Sequence, residues 1–342
     1  MSNEVERPTM RDVARVAGVS LATVSYVVND GPRPVSAGSR SRVQAAIREL
    51  GYEVRRRRSE TLVIGVVVPD ATNLFFSRAV AGVQSALTAG GHHGLVASSN
   101  DDPATELELV RLLLRGRVDG LILTPSGAVH EEVDRLPESG TPLVVMDREG
   151  GATTLHRVTM NNYDSAFKAV RLLVESGHRR IALLNGPERV DTARDRLRGY
   201  VDALRFAGLP ELPQYVRSVP FSQEPGTQAT RELLAMQTPP TALFSSSVVL
   251  TAGALTALRE RGLRWPDDVA IVGFGDAIWA PMVTPPLTVV EQPAERLGAT
   301  AAQLLLSTLR EGGPRRGQRV VLESRLVLRD SHWGPRETVR AS

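Results

Sequence analysis

Residues 9–29 read TMRDVARVAGVSLATVSYVVN, and this stretch decides how the start of the chain folds. Thr9 is a good N-cap for a short helix on which Met10, Val13, Ala14 and Ala17 share one face. Gly18 can turn the chain, and Ser20 offers a second cap. In the helix it opens, Val24, Val27 and Val28 form an apolar stripe, and Asn29-Asp30-Gly31-Pro32 ends it. A third helix is expected over Ala37–Leu50, with Val43, Ala46, Ile47 and Leu50 facing inward and Gly51 closing it. Short helices of this kind, the first two joined by about three residues that include glycine, carry the helix-turn-helix pattern.

Working outward, charge singles out the same end. The chain has 342 residues and a net charge of +3, but residues 1–58 hold eleven Arg against six acidic residues, while the remainder is slightly acidic. A basic module on a near-neutral body points to a polyanionic partner at one end. Next comes Glu53-Val54-Arg55-Arg56-Arg57-Arg58-Ser59-Glu60. Four adjacent guanidinium groups repel one another, so this segment is read as a boundary: either a solvated spacer or a phosphate-contacting arm.

From Thr61 the texture becomes alternating strand and helix. TLVIGVVVPD (61–70) is a buried parallel strand, followed by a helix over Phe76–Ala89. GLVASS, a helix over Glu106–Arg115, VDGLILTPS and TPLVVMD continue the alternation. A second series starts at RRIALLNGP and runs through a helix over Arg196–Ala207, a strand near Val216–Val219 and a helix over Gly226–Ala235. PTALFSSS, a helix over Thr251–Arg261 and DVAIVGFGD complete it. Two tandem series imply two doubly wound parallel sheets with helices on both faces, and a ligand cleft between the lobes beyond the strands' carboxyl ends. GQRVVLESRLVLRDS (317–331) alternates like a strand that returns to the second lobe, and a loose tail is expected from Ser331. The expected division is therefore 1–52 all-α headpiece, 53–61 Arg-rich linker, 62–330 two-lobed α/β core and 331–342 tail.

Several kinds of chemistry find no support. With no cysteine, disulfides, thiol catalysis and Cys-ligated zinc are excluded. There is no phosphate-cradling glycine loop, dinucleotide fingerprint, zinc-protease motif or nucleophile elbow. The six histidines, His92, His93, His130, His156, His178 and His332, lack metal-ligand spacing, and His92-His93 reads as a surface turn. No cofactor and no enzymatic role are expected. No apolar run is long enough to span a bilayer and no signal pattern opens the chain, so a cytoplasmic protein without a membrane partner is expected.

The segment from Thr9 to Tyr52, with its D-V-A-x-x-A-G-V-S-x-x-T-V-S spacing, closely resembles the DNA-binding headpiece of the lactose/galactose repressor (LacI/GalR) family. IGVVVPDATNLFF, RVDGLIL, VVMD, SGHRRIALLNGP, RLRGY, VAIVGF and TPPLTVVEQP resemble that family's periplasmic-binding-protein-like core. The resemblance implies a transcriptional regulator, expected to be a repressor. It would bind a near-palindromic double-stranded operator as a homodimer and respond to a small-molecule effector, a sugar or another metabolite. It further implies phosphate contacts from Ser20, Thr23, Ser25 and Asn29, and base reading by Leu21, Ala22 and Tyr26. Thr23 and Ser25 also fit plain cap and helix-surface roles. Leu21 and Ala22 are apolar, so they suit a thymine methyl and not a guanine edge. In the cleft it implies Phe75, Phe76, Asp147, Thr192, Arg196, Phe221, Ser247 and Asp276. Arg196 is the strongest of these candidates, because a guanidinium gives directional donors to hydroxyls or a carboxylate, with a helix-start surface as its plainer role, and Phe75 and Phe76 fit core packing nearly as well.

The chain departs from the family's pattern in two places. No Leu lies between Tyr52 and Leu62 to wedge the minor groove, and Arg55–Arg58 are expected to substitute through phosphate or narrow-groove contacts. Where the family often has Asn-Asp and a sugar-gripping Asp, this chain has Ser247-Val248 and Gly275, with Asp276 next. Two other classes remain open: a pure small-molecule receptor, and an enzyme on a doubly wound fold. Binding to promoter DNA separates the first reading from both.

Overall fold

The structure is a computed structural model, and it describes residues 8–28, 35–50, 61–116, 118–152, 154–311 and 317–334. Two compact units divide between Glu60 and Thr61. The first holds α1 (Met10–Ala17), α2 (Leu21–Val28) and α3 (Ala37–Leu50). A capping box opens α1: Asp12 N donates to Thr9 Oγ1 at 3.4 Å and Thr9 N donates to Asp12 Oδ2 at 2.9 Å. Gly18, at φ +61, ends α1 in the left-handed conformation that lets α2 start three residues later. Val13, Ala14, Ala17, Val24, Val43 and Ala46 bury together as the core expected from the periodicity, with Met10, Val27, Val28, Ile47 and Leu50 half-buried around it.

The second unit begins with β1 (Val63–Val68), α4 (Leu74–Ala89), β2 (His93–Ser98), α5 (Pro103–Arg115), β3 (Gly120–Leu123), α6 (Glu131–Asp134), β4 (Leu143–Met146) and β5 (His156–Met160). It continues with α7 (Asn162–Glu175), β6 (Ile181–Asn185), α8 (Asp191–Phe206), β7 (Val216–Ser218), α9 (Gln223–Leu234), β8 (Ala242–Ser245) and α10 (Val248–Glu260). It ends with β9 (Ala270–Phe274), β10 (Thr288–Glu291), α11 (Ala294–Glu311), β11 (Arg319–Leu322) and β12 (Arg325–Val327). One sheet has the order β11-β5-β4-β3-β1-β2 and the other β12-β10-β9-β8-β6-β7. All pairings are parallel except β10 with β12. Each sheet is sandwiched between helices, with a separate apolar cluster on each face.

The lobes are not simply in tandem, which corrects the sequence reading. The chain enters the second lobe after β5, returns to the first through α11, and crosses again between β11 and β12. The alternating segment expected to return to the second lobe is thereby split. β11 extends the first sheet beside β5, and only β12 joins the second. Alternation fixes which face of a strand is buried and is silent on which sheet edge receives it. At the crossing, Ser324 N donates to Asn161 Oδ1 at 2.9 Å.

The two residues expected to open a loose tail are packed into the second lobe. Ser331 and His332 are buried: Ser331 Oγ donates to Ile271 O at 2.6 Å and accepts from Thr288 N at 2.8 Å. His332 Nδ1 lies 2.7 Å from Thr288 Oγ1. His92 follows the Gly90-Gly91 turn, its Nδ1 accepting from Leu62 N at 3.3 Å, and His93 is exposed at the start of β2.

Candidate functional site

In the first unit, α2 is anchored at its start by Ser20, whose Oγ accepts from Thr23 N at 3.1 Å and lies 2.9 Å from Thr23 Oγ1. Val24 is fully buried against α1 and α3, which fixes the helix's rotation. That rotation leaves Leu21 and Ala22 exposed, and Thr23, Ser25 and Tyr26 half-buried. The hydroxyls of Ser20 and Thr23 therefore serve the cap, and the outward side of the first turn is hydrocarbon. Asn29 and Arg55, Arg56, Arg57 and Arg58 lie outside the described residues.

In the second unit, a cavity of about 430 Å³ lies between the lobes. It is bordered by residues that follow β1, β2, β4, β6 and β8, as expected for doubly wound sheets. Phe75, Phe76, Asp147, Thr192, Arg196, Phe221 and Ser247 all line it. Asp276 does not. It is held by Arg329, whose Nη1 and Nη2 donate to its two oxygens at 2.9 and 2.7 Å. Nor can the preceding residue reach inward: Gly275 sits at φ +102, and a Cβ there would lie 2.3 Å from Val248 Cγ2. Val248 instead presents an aliphatic surface to the cavity. Ser247 spends its hydroxyl as the cap of α10, accepting from Leu250 N at 3.3 Å.

Asn100, Asp101 and Asp147 hold left-handed backbones at φ +54, +57 and +66, where non-glycine residues are uncommon and strained. All three follow strand ends and line the cavity. Asp147 is buried, and its Oδ1 has no hydrogen-bond partner among the described residues. Burial pushes its carboxyl up to about 6, against the pull of the Arg148 and Arg196 guanidinium groups. Arg196 is also buried, and burial pushes its guanidinium down to about 10. Its Nε and Nη2 donate to Asn162 Oδ1 at 2.9 and 2.8 Å, and Nη1 donates to Ser246 O at 2.6 Å. The guanidinium carbon stands 3.9 Å from the centre of the Phe274 ring. Phe76 belongs both to the first lobe's core and to the cavity wall, so packing and lining coexist at that residue.

Sequence reasoning missed Arg148, Asp101, Arg189, Asn73 and Gln292, which also line the cavity. Arg148 lies two residues past the end of β4, and Asp101 closes the turn after β2, so the strand-end rule was the signal that would have found them. Arg189 bridges from the second lobe to Asp101, donating from Nη2 to Oδ2 at 2.8 Å and to the backbone oxygen at 3.1 Å. A second link between the lobes runs from Glu149 N and Gly150 N to Asp191 Oδ2, at 2.6 and 2.9 Å. Among the described residues no cluster of three or more His, Asp or Glu side chains is placed to hold a metal, and no helix is long and apolar enough to cross a membrane.

The two units together define a helix-turn-helix protein with a two-lobed, ligand-binding type of core. The profile described as bacterial regulatory proteins, lacI family, matches residues 9–54, and that of a periplasmic binding protein-like domain matches residues 170–332. The HTH-type transcriptional repressor CytR of Escherichia coli (strain K12) is 35% identical over 334 residues, covering 94% of this chain and 96% of that protein. The solved transcriptional regulator CelR–cellobiose complex has a TM-score of 0.71 at 35% identity, covering 95% of this chain and 100% of that one. The lac repressor dimer bound to operator and the anti-inducer ONPF has a TM-score of 0.71 at 29% identity, covering 96% and 100%. The chain belongs to the lacI family of bacterial regulatory proteins, and it is a helix-turn-helix transcription regulator.

Proposed function

We propose that this chain is a cytoplasmic, effector-responsive repressor that binds a near-palindromic operator as a homodimer. The observation that carries the reading is α2: capped at Ser20, locked by Val24, with Leu21 and Ala22 exposed on its first turn. The leading turn of the second helix in this motif is the part that enters the major groove. Ser20, Thr23, Ser25 and Asn29 face phosphates in this reading, Leu21, Ala22 and Tyr26 face bases, and Arg55–Arg58 contribute phosphate or narrow-groove contacts.

The inter-lobe cavity is the effector site. Phe75, Phe76 and Phe221 supply apolar walls, while Asp147, Thr192, Arg196 and Ser247 supply polar groups. Asp276 is dropped from this set because Arg329 occupies it. Self-association is supported by exposed apolar residues on edge strand β2, Leu95 and Val96, and by Ile278 and Met282, each 72% exposed. No enzymatic activity is proposed, since the relatives of this chain are transcriptional regulators.

The effector acts only through a difference in its affinity for two lobe arrangements. Gel-shift titration on the chain's own upstream DNA, with and without candidate metabolites, is the test. Specific retardation that a metabolite alters supports the reading. Equal affinity for that DNA and for scrambled duplex in every condition overturns it.

A further inference from the structure

The cavity holds three arginines, Arg148, Arg189 and Arg196, and three carboxylates, Asp70, Asp101 and Asp147. Arg196 directs its bonds to neutral oxygens of Asn162 and Ser246, and no carboxylate among the described residues is hydrogen-bonded to it. Arg148, almost fully buried, donates from Nη1 to Pro125 O at 3.1 Å and to Asp101 Oδ1, while its Nε has no partner among the described residues. On the acceptor side, Asp70 Oδ1 is turned to Thr72, accepting from its N at 2.8 Å and its hydroxyl at 2.6 Å. Asp147 is one carboxylate, and Asp101 is already engaged by two arginines.

Asp101 is the pivot. One of its oxygens meets a guanidinium of the first lobe and the other meets a guanidinium of the second. Two guanidinium groups converging from opposite walls of a cleft on a single carboxylate form the geometry that recognises carboxylates and phosphates. The carboxylate that fills it comes from a turn with strained left-handed backbone at Asn100 and Asp101, and its side chain keeps 24% of its surface exposed. Phe76 and Phe221 flank the place, 5.8 and 6.0 Å from the Arg148 guanidinium carbon.

We propose that Asp101 is a built-in stand-in for the acid group of the effector. The effector is then a small anionic metabolite whose carboxylate or phosphate sits between Arg148 and Arg189 and releases Asp101 toward solvent. Its uncharged part lies against Phe76 and Phe221. This inference rests on reading the cavity as the effector site, and names the ligand's chemistry.

Calorimetric titration of the full chain with inorganic phosphate, with acetate and with uncharged cellobiose, at ionic strength matched with chloride, tests it. The proteins compared are the wild type, Asp101→Asn, and Asp101→Asn combined with Arg189→Ala. Anion binding by the basic headpiece is common to all three and cancels. Asp101→Asn binds at least one anion roughly tenfold more tightly than the wild type, because the competing charge is gone. Adding Arg189→Ala removes the gain, and cellobiose responds to neither change. A preference for phosphate identifies a phosphate ester, and a preference for acetate a carboxylic acid. The inference is overturned if Asp101→Asn gains no anion affinity, or if the gain survives Arg189→Ala. If the variants do not fold, the wild type decides: its melting midpoint rises in phosphate or acetate relative to chloride, or the inference falls. Cellobiose binding without anion binding sinks this inference alone, whereas the promoter-DNA titration, which does not depend on Asp101, tests the cavity's role as effector site.

Discussion

Asp191 of the second lobe accepts hydrogen bonds from the backbone of Glu149 and Gly150 in the first, at 2.6 and 2.9 Å, so its carboxylate spans the cleft. Together with the Arg189–Asp101 bridge at 2.8 Å it ties the lobes to each other. Replacing Asp191 and Arg189 with Ala should enlarge the ligand-free radius of gyration seen by small-angle scattering. Stability should change little, by about 1 kcal/mol or less for the half-exposed Arg189 pair, since solvent screens it. An unchanged scattering profile would show that other contacts hold the lobes.

Asp147 should trade stability for function. Its folded-state carboxyl is pushed up to about 6 from 3.8, so the folded chain binds the proton more tightly than the unfolded chain. Its ionisation therefore destabilises the fold above about pH 6, and that cost is recovered as the pH falls from 6 toward 3.8. Asp147→Asn should raise stability at neutral pH by roughly 1–3 kcal/mol and weaken effector response. The charges that face this group are Arg148, Arg196 and Asp191. Denaturant melts of both proteins at pH 7.5 and pH 5 check it: the gap between them should narrow at the lower pH.

The cap at Ser20 joins fold and DNA contact. Ser20→Ala should cost about 1 kcal/mol of helix stability and weaken operator retention. Leu21 carries no polar group, so replacing thymine by uracil at the base pairs it faces should weaken binding, and 5-methylcytosine in that position should restore part of the loss. Insensitivity to the methyl group would remove Leu21 from base reading.

Arg55, Arg56, Arg57 and Arg58 should act through phosphate. Replacing all four with Ser should lower operator affinity and flatten its dependence on salt, each lost phosphate contact removing nearly one unit of the log–log slope. An identical slope in filter-binding titrations would assign them a spacer role.

Much of this was legible in the order of residues. Thr9 and Ser20 announce helix starts, Val13, Val24 and Val43 mark the inward face of each headpiece helix, and the Val/Ile runs mark buried parallel strands. The helix starts lining the cleft were less legible. α4, α5, α8, α9 and α10 each begin two to five residues before the expected point, and in α5, α8 and α9 the opening turns carry polar residues such as Thr105, Asp191 and Gln223. Polar first turns look like loops to a reading based on apolar periodicity. β5, α7 and α11 lie where the chain passes between lobes, and no local repeat in the sequence marks such a change of partner.

The sequence by itself determined the helix-turn-helix and the doubly wound character of the core, since caps and periodicity are local properties, whereas seven of the cavity's lining residues were indicated by the family resemblance alone. Only the tertiary structure decided that Asp276 belongs to Arg329, that β11 and β12 part to different sheets, and that Asp101 stands between arginines of opposite lobes. These are pairings between residues dozens to hundreds of positions apart. Spacing along the chain carries no record of them, because charge and hydrogen bonding choose their partners by distance in space.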